Sequence, residues 1–156
     1  MLGLKYLRFW RVAAAGLVLS AVLPTGLNGA AEPSIEELKA RVANAKIVDR
    51  PPLCLQISER QLDAASRFYV AGDSEQAKTA LVDVVAFAEL TRDYAIQSRK
   101  HEKQSEIAIR KMIRKLADLK HTVSHEDQDQ VQNTVDRLQR IRDDLLVAMF
   151  PRVGKK

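Results

Sequence analysis

The sequence predicts an all-α protein with a short N-terminal helix, a compact αα-hairpin and a long antiparallel hairpin of coiled-coil type. Three features carry that expectation. Apolar residues recur at steps of three and four through most of residues 34–149, the period of a helix with one buried face. Few stretches alternate in the manner of a strand. Turn-forming residues are confined to short clusters, at Asp49-Arg50-Pro51-Pro52, at Gly72-Asp73 and in the run His121 to Asp127.

Residues 1–31 read as a signal peptide and not as part of the fold. Lys5, Arg8 and Arg11 open the chain without an acid, an apolar run follows from Val12 to Leu23, and Pro24 breaks it. Small residues then lead to Gly29-Ala30-Ala31, the parts of a secretory leader in their usual order. The run is shorter than the ~20 residues that cross a bilayer as a helix, so no stable membrane span is expected after cleavage. The expected location is outside the cytoplasm, periplasmic or secreted. Cleavage after Ala31 removes Trp10, the one tryptophan, and three of the 25 basic residues. The 22 that remain face 20 acids, so a net +2 replaces the +5 of the whole chain. So small a charge, in an exported protein, argues against a nucleic-acid partner.

The remainder, residues 32–150, is expected to be a single helical domain. Ser34 and Glu37 have the spacing of a capping box, and Ile35, Leu38, Val42 and Ala45 follow at helical steps. The two prolines are expected to end this helix, since proline lacks an N–H and restricts the residue before it. A second helix is predicted over Ser58–Ala71, with Leu62, Ala65 and Phe68 or Tyr69 inward and Gly72 in the left-handed closing position. Asp73 then offers an N-cap oxygen, with Gln76 three residues on.

The third helix is predicted to be long. Ala77, Leu81, Val84, Ala88, Thr91 and Ala95 make one stripe, which lapses over Gln97 to Glu106 and resumes at Ile109, Met112, Leu116 and Leu119. No Gly or Pro interrupts Ser74 to Lys120, so one rod of roughly 70 Å is expected, with a break in the polar stretch as the alternative. The last helix starts near a cap formed by Ser124 and Asp127 and carries Val131, Val135, Leu138, Leu145 and Met149. Residues 151–156 are expected to be a flexible basic tail. Residues 99–120 hold eight Lys and Arg against three acids, and residues 124–149 hold six acids against three Arg. The two arms should therefore attract one another across an apolar seam.

Residues 61–85 resemble one tetratricopeptide unit. Ala65, Phe68, Gly72-Asp73, Ala77 and Leu81 carry the likeness, whereas Gln61 stands at the family's tryptophan position and its closing proline is absent. The resemblance implies a helix–turn–helix that presents a surface to a protein partner. The same spacing also describes an αα-hairpin outside that family. Residues 57–61, Ile57-Ser58-Glu59-Arg60-Gln61, resemble the Leu-Thr-x-x-Gln signature of Spy-type periplasmic chaperones, which implies ATP-independent holding of unfolding clients. A capping box from Ser58 to Gln61 would account for those residues equally well.

Signals for chemistry are sparse. No Gly-rich phosphate loop, paired-cysteine zinc spacing or HExxH occurs, and no nucleophile stands beside a base, so neither enzyme activity nor a cofactor is expected. His121 and His125, with Glu126 or Asp127 beside them, are the candidates for a surface metal site. Cys54 has no second cysteine to pair with, which leaves a packed thiol or a disulfide to another chain. The expected function is that of an exported, non-enzymatic interaction or scaffolding module, binding a protein partner or itself. Phe68, Tyr69, Arg110, Arg114 and Lys115 are the expected contact residues.

Overall fold

The computed structural model describes residues 32–151, so the expected leader of residues 1–31 and the expected tail after Pro151 lie outside the described residues. The described chain is all-α. Its elements are α1 (Ile35–Asn44), a 3-10 turn (Ile47–Asp49), α2 (Arg50–Val70), α3 (Ser74–Ser98), α4 (Glu102–Lys120) and α5 (His125–Met149).

Helix α1 begins at the capping box expected from the sequence. Ser34 Oγ accepts from the Glu37 amide at 3.1 Å, and the Glu37 carboxylate accepts from the Ser34 amide at 2.7 Å. It ends at Asn44, before the prolines, where Ala45 turns extended and its carbonyl accepts from Arg50 Nε at 3.0 Å. The prolines therefore start a helix instead of ending one. Pro51 and Pro52 lie in the first turn of α2, where amides have no intrahelical acceptor and a missing N–H costs nothing. Helix α2 is thus two turns longer than Ser58–Ala71. Ser58 is no cap: it is buried at mid-helix, and its hydroxyl donates to the Val84 carbonyl at 2.7 Å.

The α2–α3 turn is a Schellman closure. Gly72 is left-handed at φ 78°, the Asp73 amide reaches back to the Phe68 carbonyl at 2.9 Å, and the Gly72 amide to that of Tyr69 at 3.1 Å. Asp73 then caps α3, its Oδ1 accepting from the Gln76 amide at 3.1 Å.

The continuous rod from Ser74 to Lys120 does not form. Helix α3 stops at Ser98 by the same device: the Lys100 amide donates to Ala95 at 3.2 Å and the Arg99 amide to Ile96 at 3.3 Å. Here the left-handed position is filled by Arg99 (φ 54°), and His101 (φ 66°) is left-handed two residues later. Neither is glycine, so local preference alone would not bend the chain here. Packing supplies the reason. The break returns α4 along the first hairpin, where Ile109, Met112, Leu116 and Leu119 are buried in one cluster with Leu62, Leu81, Val84 and Ala88.

Two hairpins of similar length result, α2–α3 and α4–α5, in place of a compact one and a long projecting one. Contacts fix their relative directions. Asp127, Arg137 and Asp144 of α5 meet Ser74, Glu89 and Arg92 of α3 in that order, so these two helices run parallel. Ser58 and Asp63 of α2 likewise meet Met112 and Lys115 of α4. Helices α4 and α5 run antiparallel, as Lys120 on Gln132 at 2.7 Å and Glu106 on Arg142 at 2.7 Å record. Helix α1 packs on the first hairpin through a smaller cluster of Leu38, Val42, Cys54 and Ile57, backed by Phe87, Leu90 and Tyr94.

The expected attraction between a basic α4 and an acidic α5 is not how the charges pair. The ion pair joining these helices has the acid on α4 (Glu106) and the base on α5 (Arg142). Lys115 of α4 turns instead to Asp63 of α2, and Asp144 of α5 to Arg92 of α3 at 2.9 Å. Once the hairpins stack, each helix has a second neighbour, and charge pairing is divided between the two.

Candidate interaction surface

The parallel pair α2 and α4 encloses a cleft whose make-up follows from helical spacing. Glu59 and Asp63, one turn apart, form the α2 bank; Lys111 and Lys115, also one turn apart, form the α4 bank. Leu62 and Met112 make the floor, both almost fully buried. Ser58 lies beneath, within 3.7 Å of the Met112 sulfur. The result is an apolar strip between banks of opposite charge, closed at one point where Lys115 bonds Asp63.

Glu59 reports the electrostatics of this cleft. Desolvation against the cleft wall raises its carboxyl above the ordinary value of 4.5, the charge of Asp63 raises it further, and Lys111 and Lys115 oppose both.

The five residues expected to contact a partner do not form one surface. Phe68 is half-buried against the main core and lines a separate cleft between α2 and α3, with Gln61, Gln76 and Asp83. Tyr69 packs on the same core, and its hydroxyl is buried without a protein partner near Asp127. Arg110 and Arg114 are exposed on α4, Arg110 lying 3.7 Å from Glu106. Of the five only Lys115 lines the α2–α4 cleft. Sequence reasoning missed Glu59, Asp63, Lys111 and Met112. The signal was present as two i,i+4 pairs of opposite sign, but it acquires meaning only when α4 is known to lie beside α2.

The ends of the bundle hold the remaining polar groups. Asp127 is buried where the N-termini of α3 and α5 meet. Its Oδ2 accepts from Ser74 Oγ at 2.7 Å and Ser124 Oγ at 2.8 Å, and Lys78 Nζ lies 3.4 Å from Oδ1. These hydrogen bonds, with the Lys78 charge, hold its carboxyl below the ordinary value of 3.8. Ser124 stands at the N-cap position of α5, but its hydroxyl donates to the Asp127 carboxylate and makes no capping bond to a backbone amide, so the expected Ser124–Asp127 cap does not form. His121 ends α4 and His125 begins α5, and both are exposed. Among the described residues no group of three His, Cys, Asp or Glu is disposed to hold a metal. Cys54 is fully buried, and burial pushes its thiol up to about 11 against the opposing charge of Arg50. No helix among the described residues is long and apolar enough to cross a membrane.

No protein-family model matches the chain, and no curated protein or solved structure matches it at a significant level.

Proposed function

We propose that the chain is an exported, non-enzymatic interaction module that recognises a folded protein partner through the α2–α4 cleft. The observation that carries this reading is the cleft itself, an apolar floor of Leu62 and Met112 between an acidic bank and a basic one. Stacked helical hairpins present such parallel-helix surfaces in repeat proteins, where binding faces run across successive units. Opposed banks favour a partner whose own charges alternate, which gives register and selectivity more than raw affinity. Export rests on the leader pattern of residues 1–31.

A Spy-like role in holding unfolding clients is the competing function. The residues that resemble that family's signature are spent on packing here: Ile57 and Ser58 are buried. Methionine, the side chain that makes an apolar surface adaptable, numbers three in the whole chain. Aggregation of two unrelated unfolding proteins, followed by light scattering at equimolar ratio, separates the two functions. The interaction module leaves both traces unchanged. Suppression of both, weakened by charge reversal at Arg110, Arg114 and Lys115, would establish the chaperone instead.

A further inference from the structure

Backbone strain gathers in one turn of the bundle. The α2–α3 turn places a glycine, Gly72, in its left-handed position. The α3–α4 turn asks the same of Arg99 (φ 54°) and then of His101 (φ 66°). Among the described residues these are the only non-glycine positions with positive φ. His101 stands at the N-cap of α4 without a side-chain capping bond, and Arg99 and Lys100 are exposed. No residue from Ser98 to Glu102 is Gly or Pro, so nothing local opposes a straight helix through the turn.

Straightening that turn would carry α4 away from α3 and uncover the faces that now meet. Ile109, Met112 and Leu116 of α4 are buried in one cluster with Leu62, Leu81 and Val84 of the first hairpin. A second copy, opened in the same way, offers each of these faces the surface it has lost. The Ser58–Met112 contact and the ion pairs of Asp63 with Lys115 and of Lys78 with Asp127 would form again, now between chains. The core and its pairs are therefore the same in a closed monomer and in an exchanged dimer. What differs is the turn, strained when closed and helical when open, set against the freedom that two chains lose on associating. A short strained hinge tips that balance toward exchange.

We propose that the chain forms a reciprocally exchanged dimer, in which residues 74–120 run as one helix and each α4–α5 hairpin packs on the α2–α3 hairpin of the other copy. The partner is a second copy of this chain, and the complementarity is that of the folded core itself. Concentration sets the dimer population, since two chains unite. Exchange has to pass through chains whose shared core is apart, so monomer and dimer interconvert slowly. In the dimer each α2–α4 cleft is made by two chains, with Glu59 and Asp63 from one copy and Lys111 and Lys115 from the other. The inference stands whether or not that cleft binds a further partner.

Gel filtration with light scattering tests the proposal on protein purified from cells that express the whole chain. Concentrating it stepwise should bring up a dimer beside the monomer, and the dimer should survive brief dilution in the cold. Isotopically labelled and unlabelled chains, refolded together and treated with a carbodiimide, then show which chains are joined. The reagent couples a paired carboxylate and amine, here Asp63 and Lys115. Linked peptides from the dimer should include labelled joined to unlabelled, and those from the monomer should come from one chain only. Arg99→Gly with His101→Gly should lower the association constant roughly a hundredfold, because glycine relieves the closed turn and weakens the open helix. Arg99→Ala with His101→Ala should raise it several-fold, since alanine is the better helix former. A protein that stays monomeric at every concentration, a dimer whose Asp63–Lys115 links all lie within one chain, or a dimer indifferent to the glycine pair overturns the proposal.

Discussion

Arg99 and His101 hold left-handed backbone conformations on either side of Lys100. A left-handed L-residue costs roughly 1–2 kcal/mol, which glycine avoids at the cost of a more flexible unfolded chain. Arg99→Gly and His101→Gly should each raise stability by up to about 1 kcal/mol in urea titration. A loss of that size in either would show that the side chain holds the turn. Asp127 presents the opposite case, a polar residue whose partners are all in place. Because hydrogen bonding depresses its folded-state value below 3.8, its stabilising effect is complete above that value. It is lost as the pH falls through 3.8 toward the folded value. Asp127→Asn should destabilise by about 1–3 kcal/mol at neutral pH, since the amide cannot accept from both serines and the Lys78 ammonium at once. The difference from wild type should close as the pH drops below 3.8; a constant gap down to acid unfolding would mean that the carboxylate charge contributes nothing.

At the level of elements, the two hydrophobic clusters make separable expectations. Leu38 belongs to the small cluster under α1, whereas Leu116 and Leu138 sit in the large one shared by both hairpins. Leu38→Ala should cost about 2–5 kcal/mol and, in hydrogen exchange, expose Ile35–Asn44 before the rest. Leu116→Asp places a carboxylate without a partner in the shared core, and protection should fall in α2–α3 as well as in α4–α5. Retained protection in α2–α3 would mean that the hairpins are not stacked. The same clusters show what could be read from the chain. The cap at Ser34, the closure at Gly72 and the turn before His125 each depend on residues close in sequence, and each was legible. The break at Arg99 was not, because every residue from Gln97 to Glu106 tolerates a helix and the gain from bending lies in burying Met112 and Leu116 against Leu62 and Val84. The prolines misled for a different reason: proline ends a helix but is equally tolerated in the first turn of one, so Pro51 and Pro52 mark a boundary without saying on which side the helix lies.

Across the whole molecule, stacking two hairpins in parallel creates surfaces that no single helix carries. The α2–α4 cleft joins Glu59 and Asp63 to Lys111 and Lys115 across a gap of about fifty residues, so its acid and base pairs are invisible as a motif. Photo-crosslinking in cells that make the protein tests the central claim most directly. A photoreactive residue in place of Glu59 should give one discrete adduct with a single protein, and one in place of Ala43, on the exposed face of α1, should give none. Lys111→Glu with Lys115→Glu should erase the adduct while the protein stays folded. No adduct from position 59, or the same spread of adducts from positions 59 and 43, would contradict the assignment of the cleft as the recognition surface.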